Sequence, residues 1–131
     1  MPILRHLRPD LILSYWLYPD GYAAVRAAQE LHVPSIVCSI GSDLRRISDH
    51  WTRRLTRITL EEASLVLTVS EELRQRALAY GIPPAKVLTI HNGCDTAIFR
   101  PAAREEARVE LGLALEPPLF LYVCPSSPAK E

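Results

Sequence analysis

The feature of this sequence that most restricts its fold is an alternation of short apolar runs with stretches of strong helix formers. "LILSYW" (11–16) is followed by the turn "YPDG" (18–21) and then by "YAAVRAAQEL" (22–31), which is rich in Ala, Leu, Gln and Glu. Pro34 stops the helix, and "SIVCSI" (35–40) repeats the strand signature before ending at "GSD". A strand–helix–strand unit returns the chain to the end of the sheet where it started. Successive strands are therefore parallel, and the connection is right-handed.

The alternation continues. Across residues 48–63 the apolar Trp51, Leu55, Ile58 and Ala63 fall near helical spacing, with Arg53, Arg54 and Arg57 on other faces. The spacing predicts an amphipathic helix whose apolar stripe faces a sheet. "LVLTV" (65–69) is a third strand. Ser70 then supplies a capping hydroxyl and Glu71 and Glu72 supply carboxylates near the positive end of a helix dipole, with Gly81 closing that helix ahead of Pro83 and Pro84. "KVLTIH" (86–91) is a fourth strand, "AAREEARVELG" (102–112) a further helix, and "LFLYVC" (119–124) a fifth strand. Apolar strands buried on both faces and separated by helices predict an α/β fold, a partial Rossmann-like parallel sheet with flanking helices.

Composition narrows the function classes. Among 131 residues, 48% are hydrophobic, enough for one sizeable core, and 15 basic residues balance 15 acidic ones. That balance gives no general attraction to nucleic acid, so any anionic partner needs a local patch. Cys38, Cys94 and Cys124 lie far apart with no CxxC pair, which points away from a disulfide framework or a zinc site and towards a reducing, cytoplasmic setting. The first residues, "MPILRHLRPD", lack the apolar core of a signal peptide.

In an open parallel sheet the functional loops lie beyond the carboxyl ends of the strands. "GSD" follows the second strand directly. Gly41 there would let a ligand approach the backbone, while Ser42 and Asp43 offer hydrogen bonds to hydroxyls; the alternative is a tight turn with Ser42 or Asp43 as a local cap. In "YWLYPDG", Trp16 reads as core and Pro19–Asp20–Gly21 as a turn, with Tyr15 left open between a structural role and stacking on a sugar or base. "HNGCD" holds three residues able to bind metal, His91, Cys94 and Asp95, but at a spacing that matches no standard site, and no metal is expected. Asn92–Gly93 reads instead as a left-handed turn in a longer connection. Arg45, Arg46, Arg53, Arg54 and Arg57 gather near Trp51, a group read either as a solvated helix face or as a weak contact for anionic lipid headgroups. There is no GxGxxG, Walker loop or Ser-His-Asp set.

Taken in order, "PDLILSYWLYPDG", "PSIVCSIGSD", "ASLVLTVSEELRQRALAYGIPPAKVLTIHNGCDTAIFRP" and "LGL…LFLYV" resemble the retaining GT-B glycosyltransferases with a glycosyltransferase 4-like N-terminal domain. The resemblance implies two facing Rossmann-like domains, with the acceptor bound mainly on the first and the nucleotide-sugar mainly on the second. It further implies a truncated GT-B arrangement. Residues 1–91 correspond to the later part of the acceptor-side domain, 92–101 to the interdomain connection with Asn92, Gly93 and Asp95 at its hinge, and 102–131 to the start of the donor domain.

The implied function is transfer of a sugar from a nucleotide-sugar co-substrate to a saccharide or lipid-linked acceptor, without a separate cofactor and without nucleic acid. Tyr15, Gly41, Ser42, Asp43 and Ser70 become the cleft-facing candidates, and Lys130 the candidate contact to the donor diphosphate. The implied setting is cytoplasmic, with weak peripheral contact at the inner membrane face.

The sequence departs from the family pattern at its end, where Cys124, Pro125 and Glu131 replace an expected glycine, arginine and glycine. Loss of one such stabilising donor costs about 10²–10³ in rate, so the chain is expected not to turn over by itself. At Tyr15 many relatives carry a histidine; tyrosine donates a hydrogen bond but does not shuttle protons near neutral pH. The rival readings are a non-catalytic binding module built on the same half-domain and an unrelated Rossmann-like nucleotide binder. An incomplete sheet is also expected to leave an unpaired edge and an uncovered apolar face, making the isolated chain prone to association.

Overall fold

The computed structural model describes residues 6–123, which divide after Gly93 into two compact units. In the first, four parallel strands form one sheet: β1 (Ile12–Tyr15), β2 (Ser35–Ser39), β3 (Leu65–Thr68) and β4 (Val87–Thr89), in the order β1-β2-β3-β4. Register aligns Ser14, Val37, Val66 and Val87 in one row and Tyr15, Cys38, Leu67 and Leu88 in the next. The crossovers carry α1 (Tyr22–Leu31), the single-turn α2 (Ser42–Arg45), α3 (His50–Glu62) and α4 (Glu71–Leu78).

Because the strands advance in one direction, right-handed crossovers gather their helices on one face of the sheet. Burial follows that geometry. Val37, Val66 and Val87 are fully enclosed beneath the helical layer, in one cluster with Val25 of α1, Leu60 of α3 and Leu73 and Ala77 of α4. The alternate strand positions point the other way, and there Leu13, Tyr15 and Leu88 are exposed. The expectation of strands covered on both faces is thus corrected: in this unit the described helices cover one face only.

The local reasons for each element are visible. α1 spans the predicted decapeptide and stops where His32 turns left-handed, with the His32 and Val33 N–H groups donating back to the Gln29 and Ala28 carbonyls. Ahead of it, Gly21 is required by close approach: a Cβ there would sit 2.5 Å from the Trp16 carbonyl oxygen and 3.2 Å from Thr59 Cγ2. That proximity also corrects the predicted buried face of α3. Leu55, Thr56, Thr59 and Leu60 are enclosed, small threonines fitting where helix and turn come together, while Trp51 is 60% exposed. Thr59 returns its hydroxyl to the Leu55 carbonyl at 2.9 Å, but the buried Thr56 hydroxyl has no partner among the described residues. Asp49 caps α3 by accepting from the Thr52 N–H at 2.7 Å. Ser70 caps α4 in the same way through the Leu73 N–H at 3.3 Å.

Trp16, expected in the core, is half-buried with φ of 144°, and its neighbour Leu17 fills the core instead. Gly81 adopts φ of 85° after α4 and donates to the Leu78 carbonyl at 2.8 Å, as a helix-closing glycine should.

The second unit contains α5 (Arg104–Glu110), closed by Gly112 at φ of 66°. Arg108 is buried, its guanidinium donating to the Ala114 carbonyl at 2.8 Å and the Pro117 carbonyl at 2.9 Å, which folds the following segment back on the helix. Two expectations are corrected here. Residues 119–123 form no strand and are exposed, Phe120 at 95%, because a strand needs a neighbour for its backbone N–H and C=O groups and the described part of this unit offers none. Asn92 and Gly93 do not adopt left-handed φ. The turn lies further on, where the Asp95 carboxylate accepts from the Ala97 N–H at 2.9 Å and its carbonyl from the Phe99 N–H at 2.8 Å.

Candidate functional site

The carboxyl ends of the four strands bring together Tyr15, the Gly41–Ser42–Asp43 turn, Ser70 and the segment after β4. Gly41 takes φ of 149°, a conformation closed to most side chains, and so swings the chain from β2 into α2. Its carbonyl accepts from the Leu44 and Arg45 N–H groups. Ser42 is left exposed, its hydroxyl free among the described residues.

Asp43 is turned the other way and is only 8% exposed. One carboxylate oxygen accepts from the Ser39 hydroxyl at 3.0 Å and the Gly41 N–H at 2.9 Å. The other accepts from the Leu17 N–H at 3.3 Å. The carboxylate therefore ties the loop after β1 to the loop after β2 and sets the rim on which Tyr15 and Ser42 stand. Trp16 adds to that rim, its strained backbone steadied by the Ser14 hydroxyl donating to its carbonyl at 3.3 Å. Beneath, burial followed by the Asp43 charge pushes the Cys38 thiol up, away from the reactive thiolate.

Tyr15, two-thirds exposed at 66%, presents its phenol at the same end of the sheet. Ser70 is half-buried and accepts the α4 cap bond, which leaves its hydroxyl proton free to donate. Sequence reasoning did not single out the hydroxyl row beneath these residues. Ser39, Thr68 and Thr89 are aligned by register, with the Thr68 and Thr89 hydroxyls 3.3 Å apart and Thr89 donating to Glu71 at 3.2 Å. The signal was present, since "IVCS", "LVLT" and "VLT" each end in Ser or Thr. The Gln75 amide, with Arg74 and Thr89, holds the Glu71 carboxyl below the usual carboxylate range. His91, considered above only as a metal ligand, has Nδ1 3.3 Å from the Val69 carbonyl, a contact the Nδ1–H tautomer makes.

The hinge candidates Asn92, Gly93 and Asp95 are all exposed. Lys130 lies outside the described residues, as do Cys124, Pro125 and Glu131. Among the described residues no three His, Cys, Asp or Glu side chains converge as a metal group, and no helix is long and apolar enough to cross a membrane. The exposed chemistry at the strand ends is thus a set of hydroxyl groups on a rim fixed by a buried carboxylate, suited to hydrogen bonding a polyhydroxylated ligand.

Comparison with known proteins bears on what that rim serves. The sequence profile described as Glycosyltransferase Family 4 matches residues 1–98. The chain is 31% identical over 124 residues to the teichuronic acid biosynthesis glycosyltransferase TuaC of Bacillus subtilis, covering 91% of this chain and 31% of that protein. It is 38% identical over 58 residues to D-inositol 3-phosphate glycosyltransferase 1 of Catenulispora acidiphila, covering 44% of this chain and 14% of that protein. Among solved structures it is similar to Anabaena Alr3699/HepE in complex with UDP, with a TM-score of 0.61 and 19% identity over 85% of this chain and 31% of that one. That likeness bears out the partial Rossmann-like α/β sheet of the GT-B architecture.

Proposed function

The chain belongs to glycosyltransferase family 4, and from that premise we propose that it supplies the acceptor-side strand ends of an enzyme transferring a sugar from a nucleotide-sugar to a saccharide or lipid-linked acceptor. Family membership removes the reading as an unrelated Rossmann-like nucleotide binder. The chain spans 31% of the length of TuaC, so the activity of the whole protein is part of the proposal.

The observation that carries the reading is the rim itself: Tyr15 and Ser42 stand exposed at the carboxyl ends of parallel strands, in a segment matched by the family profile. In this reading the Tyr15 phenol and the Ser42 and Ser70 hydroxyls hydrogen bond acceptor or sugar hydroxyls, while the buried Gly41, its N–H and carbonyl both engaged, shapes the turn that presents Ser42, and Asp43 positions the loops. Residues 1–91 form the acceptor side, 92–101 the connection, with Asn92, Gly93 and Asp95 as its hinge, and 102–131 the beginning of the donor side, with Lys130 meeting the diphosphate. The related Alr3699/HepE has been seen with UDP and with UDP and glucose, which supports a nucleotide-sugar as the donor class. A cytoplasmic setting with peripheral contact at the inner membrane face accords with the exposed Trp51 and its neighbouring arginines.

Titration of the isotopically labelled chain with UDP-glucose and with oligosaccharides tests this, read out by amide shifts. The expected shifts fall on Tyr15, Gly41, Ser42 and Ser70 and are weakened in Tyr15→Phe and Ser42→Ala. An unshifted rim at saturating ligand would overturn the assignment and leave a non-catalytic module in its place.

A further inference from the structure

We propose that the groove between α3 and α4 is a binding site for a phosphate-bearing anion, separate from the strand-end rim; only its lipid-headgroup form rests on the membrane contact proposed above. It is a shallow hollow of about 600 Å³, open to solvent. Its wall is formed by Arg53 and Arg57 of α3, Arg76 of α4, Tyr80 and Gly81 just beyond it, and Leu44 of α2. Three guanidinium groups face one hollow, and no carboxylate is part of the wall. In a chain whose formal net charge is zero, that local excess is not a consequence of bulk composition.

The arrangement is poised for an anion in two respects. Arg57 and Arg76 are held at the margins by Glu61 and Glu72 in exposed ion pairs, which contribute little in water and are readily redirected. Arg53 makes no ion pair or side-chain hydrogen bond among the described residues. It stands one helical turn from Arg57, a like-charge spacing that disfavours the helix until something negative lies between the two. The planar forks of arginine match phosphate oxygens two at a time, and the Tyr80 phenol adds a donor. The volume exceeds what a single inorganic phosphate needs, so a diphosphate or a lipid headgroup fits the chemistry.

Two probes separate those sources: inorganic pyrophosphate followed by calorimetry, and phosphatidylglycerol vesicles followed by co-sedimentation, with phosphatidylcholine vesicles as the neutral control. The site requires saturable binding in at least one arm, and the arm that binds identifies the source. Arg53→Gln with Arg57→Gln should weaken it at least tenfold. A control pair, Arg46→Gln with Arg54→Gln, removes the same charge outside the groove and should change it less than twofold. If the double variant does not fold, Arg53→Gln alone, which breaks no ion pair, carries the comparison. Absence of binding in both arms, or equal loss from the groove pair and the control pair, overturns the proposal.

Discussion

Asp43 collects three donors, from Ser39, Gly41 and Leu17, at the ends of two adjacent strands. Its replacement by alanine would leave buried N–H and O–H groups without partners. Each such group costs about 1–3 kcal/mol, so Asp43→Ala should lower stability by at least about 2 kcal/mol in urea denaturation. An unchanged urea midpoint would show the bonds to be dispensable. The residue types at the strand ends were legible, because a Gly-Ser-Asp turn after a strand announces a loop with polar reach. The direction of Asp43 was not, because it depends on the positive φ of Gly41 and on a partner 26 positions away in sequence. Tyr15 and Ser42 lent themselves better to sequence reading, since strand alternation alone decides the side on which Tyr15 emerges.

Among the elements, α1 and the first four strands follow from apolar runs bounded by Pro, Gly and capping residues, all local signals. The predicted fifth strand failed because strand formation is never local: "LFLYV" has the right residues but no neighbouring edge within the described part of its own unit. The buried face of α3 was misread because threonines count as polar in a periodicity argument, although Thr56 and Thr59 are both fully buried and Thr59 fits the narrow gap against Gly21. A link between elements gives the next prediction. Glu72 of α4 pairs with Arg45 of α2 and with Arg76, and those bonds lower its carboxyl from 4.5 to about 2. A depressed folded value means that the contribution is fully present above the unfolded value and disappears as the pH falls through the folded one. Because these pairs are exposed and screened by solvent, the effect is small: between about pH 4.5 and 2 the wild-type thermal midpoint should drop slightly more than that of Glu72→Gln at low salt, and parallel curves would show that the pairs do not couple to folding.

At the level of the whole molecule, the helices of the first unit cover one side of its sheet and leave Leu13, Tyr15 and Leu88 exposed on the other, flanked by the half-buried Ile36, Leu65 and Leu67. A contiguous apolar surface of this kind promotes association. The chain in isolation should bind an apolar dye such as ANS and sediment as oligomers at micromolar concentration, and Leu13→Lys with Leu88→Lys should diminish both. A dye-silent monomer would count against it. The strand order is not legible in any single stretch of sequence; given that order, crossover handedness decides which face of the sheet the helices cover.

That order has a kinetic side. Each strand pairs with the one made just before it, at a separation of roughly 20 to 30 residues, so every closure is short and its entropic cost modest. No strand has to wait for a later one to be inserted between earlier neighbours. Assembly of this sheet can thus advance vectorially, unit by unit, at the pace at which a ribosome releases the chain.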